Sequence, residues 1–411
     1  MDIMTKDKII EYLKENQFFG QDDVLEVTDI LSETQDAEGM INQLYRVMNS
    51  DSGRSVIVKQ VMPYMLLLKK RTGQEFALNM NRMKKEVRMF KFLHGFQPGS
   101  VPEIYKLDED AGLIIMEDLR TYRVMRYTLS EGKTIADFGR RMGYFLGKMY
   151  FFTSAHYLGV EKKVSMAETF ENQSSKRLMA DLLSGKNCVL FDPLRLFEKE
   201  AKPVHDCLCN DQALKDIVYT LDDRFVTSRE CLCHNDCHVG NIMVDNDRIR
   251  LIDMEFSGYA DPLMDLGRLT SSFLTNYLSW TGRLDVREPF RTEMQAYNLE
   301  TIGQLFESYR GTVTELVEEY GSKAPDSPDA ETILKPIIHN SMRLAVLAMA
   351  CRTSTDDFRT FDIRCIDDFR QLGKIQKIAL LTAEYVLKHT EDLKDGYDLA
   401  TVLATVKTAL S

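Results

Sequence analysis

Apolar positions between residues 5 and 16 recur at helical spacing: Ile9, Ile10 and Leu13 share one face, and Thr5 stands before them as a cap. The pattern then shifts to that of strands. Leu25, Val27 and Ile30 lead into a polar turn over Glu33–Gly39. A second apolar stretch, Ile41–Val47, ends in the turn Asn49–Gly53, and a third strand reads Val56-Ile57-Val58-Lys59. Residues 79–93 form a charged helix, and Pro98, Gly99 and Pro102 break the chain after it. Ile104–Leu107 and Leu113–Met116 make a hairpin around the Asp108–Gly112 turn.

From residue 134 onward the pattern is mainly helical. Gly139, Gly143 and Gly147 recur every four residues, which gives a smooth face for close helix packing. An insertion over 166–200 carries an amphipathic segment ending in Phe191-Asp192-Pro193-Leu194-Arg195-Leu196-Phe197. Further helices are expected over 206–227, 287–321, 330–352 and 366–390, with a polar loop at Gly321–Pro328. These elements describe an α+β chain with a small sheet-containing N-terminal part, 1–119, and a larger, mainly helical part, 120–411.

Composition narrows the function. At 411 residues the chain is long enough for two cores. Hydrophobic residues make up 44% and charged residues 28%, and no apolar run approaches the roughly 20 residues of a membrane helix. The N-terminus is charged throughout and lacks a signal-peptide centre. Eight scattered cysteines read as reduced thiols in a cytoplasmic enzyme. The net charge of −11 disfavours nucleic acid and anionic membranes as partners.

Chemistry concentrates between Cys231 and Gly267. His234-x-Asp236-x4-Asn241 is followed by an apolar run, Ile249, Leu251 and Ile252, that ends in Asp253. This order suits phosphoryl transfer. One carboxylate, Asp236, aligns an attacking hydroxyl and takes its proton late. An amide, Asn241, and a carboxylate, Asp253, supply oxygen ligands for Mg²⁺ on nucleotide phosphates. Glu255 lies near the same face if the strand continues, where it would hold a second metal or its water. His234 is expected to orient the loop backbone, Asp265 to bond to that backbone, and His238 to be structural or near the substrate.

The block resembles the catalytic region of the aminoglycoside phosphotransferase and choline kinase superfamily, whose fold is bilobal and protein-kinase-like. The resemblance implies ATP and Mg²⁺ as cofactors. It implies that Gly39 and Asn42 lie at the nucleotide and that Lys59 contacts the α and β phosphates. Glu86 would pair with Lys59, although the cations Arg82, Lys85 and Arg88 around it also fit a solvated helix face. Glu117 and Leu119 would form the adenine-binding hinge. Val56–Tyr64, the segment Met116–Leu119, Met142–Ser154, the insertion at 170–194 and Ala350–Ser354 are similar to the 5-methylthioribose kinase family. That resemblance implies phosphorylation of the anomeric hydroxyl of methylthioribose in methionine salvage, a homodimer, and Arg352 at the substrate.

Two departures keep the acceptor open. That family carries two adjacent arginines where this chain has Cys351 and Arg352. Asn235 and Asn241 follow the wording of choline and ethanolamine kinases. A choline, ethanolamine or aminoglycoside kinase is therefore the alternative, and a nucleotide-binding protein without catalysis the second. Cys231, Cys233, His234, Cys237 and His238 also resemble zinc ligands, but the paired Cys-x2-Cys spacing is absent.

Overall fold

A computed structural model describes residues 2–33, 41–174, 176–178, 188–321, 327–354 and 363–410. By its contacts the chain divides into two compact units, Met1–Tyr127 with Gly240–Phe256, and Thr128–Val239 with Ser257–Ser411. The sequence suggests one boundary near residue 120. The division instead comes slightly later, and a short return of the chain, Gly240–Phe256, packs with the first unit. The reason is pairing: β8 (Ile242–Asp245) and β9 (Arg248–Leu251) form a hairpin that also pairs with β6 (Arg123–Val124).

The first unit is built on a five-stranded antiparallel sheet in the order β1 (Leu25–Asp29), β2 (Gln43–Asn49), β3 (Ser55–Gln60), β5 (Leu113–Glu117) and β4 (Ile104–Asp108). Alternation along β3 sends Val56 and Val58 to one face. There they join Tyr45, Val47, Leu113 and Ile115 under Ile9 and Leu13 of the helix Lys6–Glu15. Thr5 caps that helix, accepting from the Lys8 N–H at 3.4 Å. The opposite face carries Ile57, Ile114 and Met116 and is covered by Met83 and Val87 of the helix Arg82–Phe96. Lys59 is two residues beyond Ile57 in β3 and therefore projects toward that helix.

The second unit is mainly helical, with one two-stranded antiparallel sheet, β7 (Cys231–Cys233) with β10 (Gly258–Ala260). Its long helices are Phe138–Thr153, Leu263–Gly282, Glu288–Tyr320, Ala330–Arg352 and Phe369–His389. The glycine stripe packs as its spacing suggests. A Cβ at Gly139 would lie 2.4 Å from the Thr301 carbonyl oxygen, and one at Gly143 2.4 Å from that of Leu305. Only glycine lets Phe138–Thr153 approach Glu288–Tyr320 so closely. Thr153, at the end of the first of these helices, accepts from the Leu232 N–H through Oγ1 (3.0 Å) and from the Tyr259 hydroxyl through its carbonyl (2.7 Å). These bonds anchor both strands of the small sheet.

Candidate active site

In the first unit the β8–β9 hairpin positions the expected cation ligands. Its register pairs Ile242 with Leu251, and the pairing extends outward, with the Ile252 N–H donating to the Asn241 carbonyl at 3.0 Å. Asn241 and Asp253 thus flank the open end of one hairpin. The strand does not continue through Glu255. Asp253 has φ +62°, a left-handed conformation that L-residues avoid, and Met254–Phe256 form a 3₁₀ turn. Glu255 is turned into the interior. Its Oε2 accepts from Arg82 Nε at 2.7 Å and from Asn42 Nδ2 at 3.1 Å.

Lys59 is the centre of this cluster. Its ammonium donates to Glu86 Oε1 and to Asp253 Oδ1, each at 2.7 Å. Burial by itself would lower the lysine, but Asp253 and Glu86, with Glu255 beyond them, outweigh it and hold the ammonium above its ordinary range. Glu86 is pushed up to about 7, by burial first and by the Asp253 and Glu255 carboxylates in addition, against the pull of Lys59. The carboxylates of the cluster contribute to both shifts. Three buried or half-buried carboxylates face two cations, Lys59 and Arg82, so the cluster carries one negative charge more than its cations balance. A proton on one carboxylate relieves that excess.

The other nucleotide-site candidates are placed as follows. Asn42 is buried, and its Oδ1 accepts from Arg82 Nη2 at 2.7 Å and from the Met62 N–H at 3.3 Å, so it holds Glu255 and Arg82 in register. Glu117 closes β5. Its N–H donates to the Glu103 carbonyl at 2.8 Å, and its side chain accepts from the Glu103 N–H at 3.0 Å. Leu119 is buried, and its carbonyl accepts from the Tyr122 N–H at 2.9 Å. Gly39 lies outside the described residues.

In the second unit Asp236 follows β7 on a buried loop. Asn235, directly before it, has φ +65°, which asparagine tolerates better than most residues. The Asp265 carboxylate accepts from the His234 N–H at 2.7 Å, the Asn235 N–H at 2.6 Å and the Tyr150 hydroxyl at 2.9 Å. Burial still raises the Asp265 carboxyl, against the pull of His234 and of these bonds. His234 Nδ1 accepts from the Asp236 N–H at 3.3 Å, so this histidine orients the loop backbone. His238 Nε2 lies 3.7 Å from Asp236 Oδ1. Arg352 ends the helix Ala330–Arg352, next to Cys351. The Cys231 and Cys233 sulfurs are 3.7 Å apart, and burial raises both thiols and Cys237. Among the described residues no three His, Cys, Asp or Glu side chains are grouped to hold a metal ion.

Two arginines belong to these arrangements without having been singled out by the sequence. Arg82 is almost fully buried and bonds Glu255, Asn42 and the Met62 carbonyl (2.6 Å) rather than facing solvent beside Lys85 and Arg88. Arg268, also buried, reaches Asp236 Oδ1 with Nη2 at 2.5 Å. The one available signal for Arg268 is its spacing from Asp265, three residues earlier and so on the same helix face.

The model of the phosphotransferase enzyme family matches residues 32–305, which include the candidate residues of both units other than Arg352. The chain belongs to the phosphotransferase enzyme family. Among its curated relatives, the methylthioribose kinase of Geobacillus kaustophilus (strain HTA426) is 30% identical over 247 residues, covering 59% of this chain and 60% of that protein. The methylthioribose kinase of Geobacillus sp. (strain WCH70) is 25% identical over 377 residues, covering 89% and 88%. That of Bacillus velezensis (strain FZB42) is 26% identical over 360 residues, covering 87% and 86%. Among solved structures, a choline kinase from Cryptosporidium parvum Iowa II overlaps with 95% of this chain and 98% of its own, at 14% identity and a TM-score of 0.46.

The phosphotransferase's oxygen donors suit a hard cation. Mg²⁺ takes few protein oxygens and completes its shell with water and phosphate, so an amide and a carboxylate at one hairpin end suffice. The excess negative charge around Asp253 fits the same ion. Among the described residues no helix is long and apolar enough to cross a membrane.

Proposed function

We propose that this phosphotransferase moves the γ-phosphoryl group of ATP to the anomeric hydroxyl of 5-methylthioribose, a step of methionine salvage. The nucleotide role rests on one observation above all: a buried lysine bound at once by Glu86 and Asp253. Such a lysine is fixed in position and permanently charged, as a grip on the α and β phosphates requires. Gly39, Asn42, Glu117 and Leu119 complete the nucleotide site in this reading. Asn241 and Asp253 hold Mg²⁺, which when bound neutralises charge on the phosphate oxygens, while Glu255, turned inward, is engaged by Arg82 and Asn42. Asp236 aligns the acceptor hydroxyl and takes its proton, while His238 and Arg352 contact the acceptor. Residues 1–119 then serve mainly as the nucleotide-binding lobe and 120–411 as the catalytic and acceptor-binding lobe.

The choice of acceptor is supported by the methylthioribose kinases above, two of which match along 87–89% of this chain. An ammonium alcohol such as choline or ethanolamine is the second reading, carried by Asn235 and Asn241. The guanidinium of Arg268 beside Asp236 weighs against it, because a cation there repels a cationic acceptor. A cytoplasmic homodimer follows from the same likeness to methylthioribose kinases.

The test is ADP release from Mg-ATP with 5-methylthioribose, choline, ethanolamine and aminoglycosides in turn. Turnover of 5-methylthioribose and of none of the others is expected, and turnover confined to an amine overturns the acceptor assignment. Asp236→Asn is expected to bind ATP normally and to lose about 10²–10⁴-fold in kcat. Full activity of that variant would remove Asp236 from the mechanism.

A further inference from the structure

Along the helix Leu263–Gly282, three side chains on one face meet the loop 234–239. Asp265 accepts from the His234 and Asn235 N–H groups at 2.7 and 2.6 Å. Arg268, three residues on, pairs with Asp236 at 2.5 Å. Ser272, four residues further, accepts from the Val239 N–H through Oγ at 3.4 Å. Positions three and four apart on a helix lie one above another, so the loop is docked along a single stripe. Another part of the same helix is fixed from a different side. A Cβ at Gly267 would lie 2.9 Å from the Ser341 carbonyl oxygen, so this helix is packed closely on Ala330–Arg352.

The stripe divides its work by chemistry. Asp265 and Ser272 hold main-chain groups and would do so whatever the loop's side chains were. Arg268 alone on this stripe engages the side chain that the proposed reaction uses. It is 7% exposed, and its partner Asp236 is 9% exposed, so water competes little for either group. A guanidinium held on one oxygen of a carboxylate restricts rotation of the whole planar group.

We propose that Arg268 is a positioning residue for phosphoryl transfer: it fixes the orientation of the Asp236 carboxylate, so that the acceptor hydroxyl meets it in one geometry. This inference rests on the reading of Asp236 given above. Alignment errors of about 1 Å cost roughly 10²-fold in rate, which sets the expected effect.

The experiment compares Arg268→Ala, Arg268→Lys and Asp236→Asn with the wild-type enzyme. Mg-ATP and 5-methylthioribose are the substrates, or whichever panel acceptor the wild-type enzyme phosphorylates. Arg268→Ala is expected to lose about 10²-fold in kcat with little change in the KM for ATP or in ATP binding measured directly. Added guanidinium chloride at low, non-denaturing concentration is expected to restore part of that kcat, and Arg268→Lys to lie between the two. A merely structural arginine would give no rescue at unchanged Tm. Wild-type kcat in Arg268→Ala, or a loss that guanidinium leaves untouched, overturns the proposal. If Asp236→Asn itself keeps full activity, the underlying reading fails instead, whatever Arg268 does.

Discussion

The two groups of candidate residues, one in each unit, are held by opposite means. In the first unit, charges from distant parts of the chain hold one another: Lys59 with Glu86 and Asp253, and Arg82 with Glu255. In the second, Asp265 on one helix holds the backbone of the loop that carries Asp236, and side-chain charge enters at Arg268. A charge cluster depends on every member, because removing one strands its partners. A loop held through its N–H groups depends on backbone conformation and tolerates changes of side chain more readily. The first arrangement should therefore fail by electrostatics and the second by geometry.

Lys59→Met breaks the first group most directly. It leaves Glu86 and Asp253 facing each other without their shared cation, and removal of one partner from a buried ion pair costs about 3–5 kcal/mol. Lower stability in urea unfolding and weaker ATP binding are expected together. Unchanged values of both would show that the cluster is not what holds this group.

A smaller effect tests the second group. Asn235 has φ +65°, where glycine is at ease and alanine is strained by about 1–2 kcal/mol. Asn235→Gly is therefore expected to be more stable than Asn235→Ala by that amount, although both remove the same side chain. Equal melting temperatures would show that backbone conformation does not govern this loop.

The mildest test uses pH. Glu86 holds its proton up to about 7 in the fold, against about 4.3 for an unfolded glutamate. Between those values the folded state binds more protons than the unfolded one, so stability falls as pH rises. The contribution is complete below about 4.3 and spent above about 7. Glu86→Gln, measured without added divalent cation, is expected to flatten that decline. A decline as steep as in the wild type would place the proton elsewhere.

Much of this was legible in the sequence, for identifiable reasons. Val56, Val58 and Lys59 alternate as a strand must, so both the sheet and the direction of Lys59 follow from periodicity. Glu86 could be singled out as its partner because it lies on the next long helix. Asn241 and Asp253 flank an apolar hairpin, and hairpins bring their ends together. Burial of a charged residue is different, because it depends on partners remote in the chain. Arg82 lies among Lys85 and Arg88 and shares their composition, yet it alone of the three is buried, through Glu255, which is 173 positions away. The turn at Asp253 was equally hidden. A left-handed aspartate carries no local mark, so a continuing strand through Glu255 was the natural expectation.

The helix that begins at Leu263 also bears on how such a chain can change its length. One residue added or removed between Asp265 and Ser272 would rotate everything beyond it by about 100°, taking Arg268 or Ser272 off the loop. Insertions there should be purged even where every individual side chain is replaceable. The tip of the β8–β9 hairpin, where Asn246 and Asp247 are exposed, has no such phase to keep. Length variation among functional descendants of this chain should accumulate at that tip and be missing from that helix.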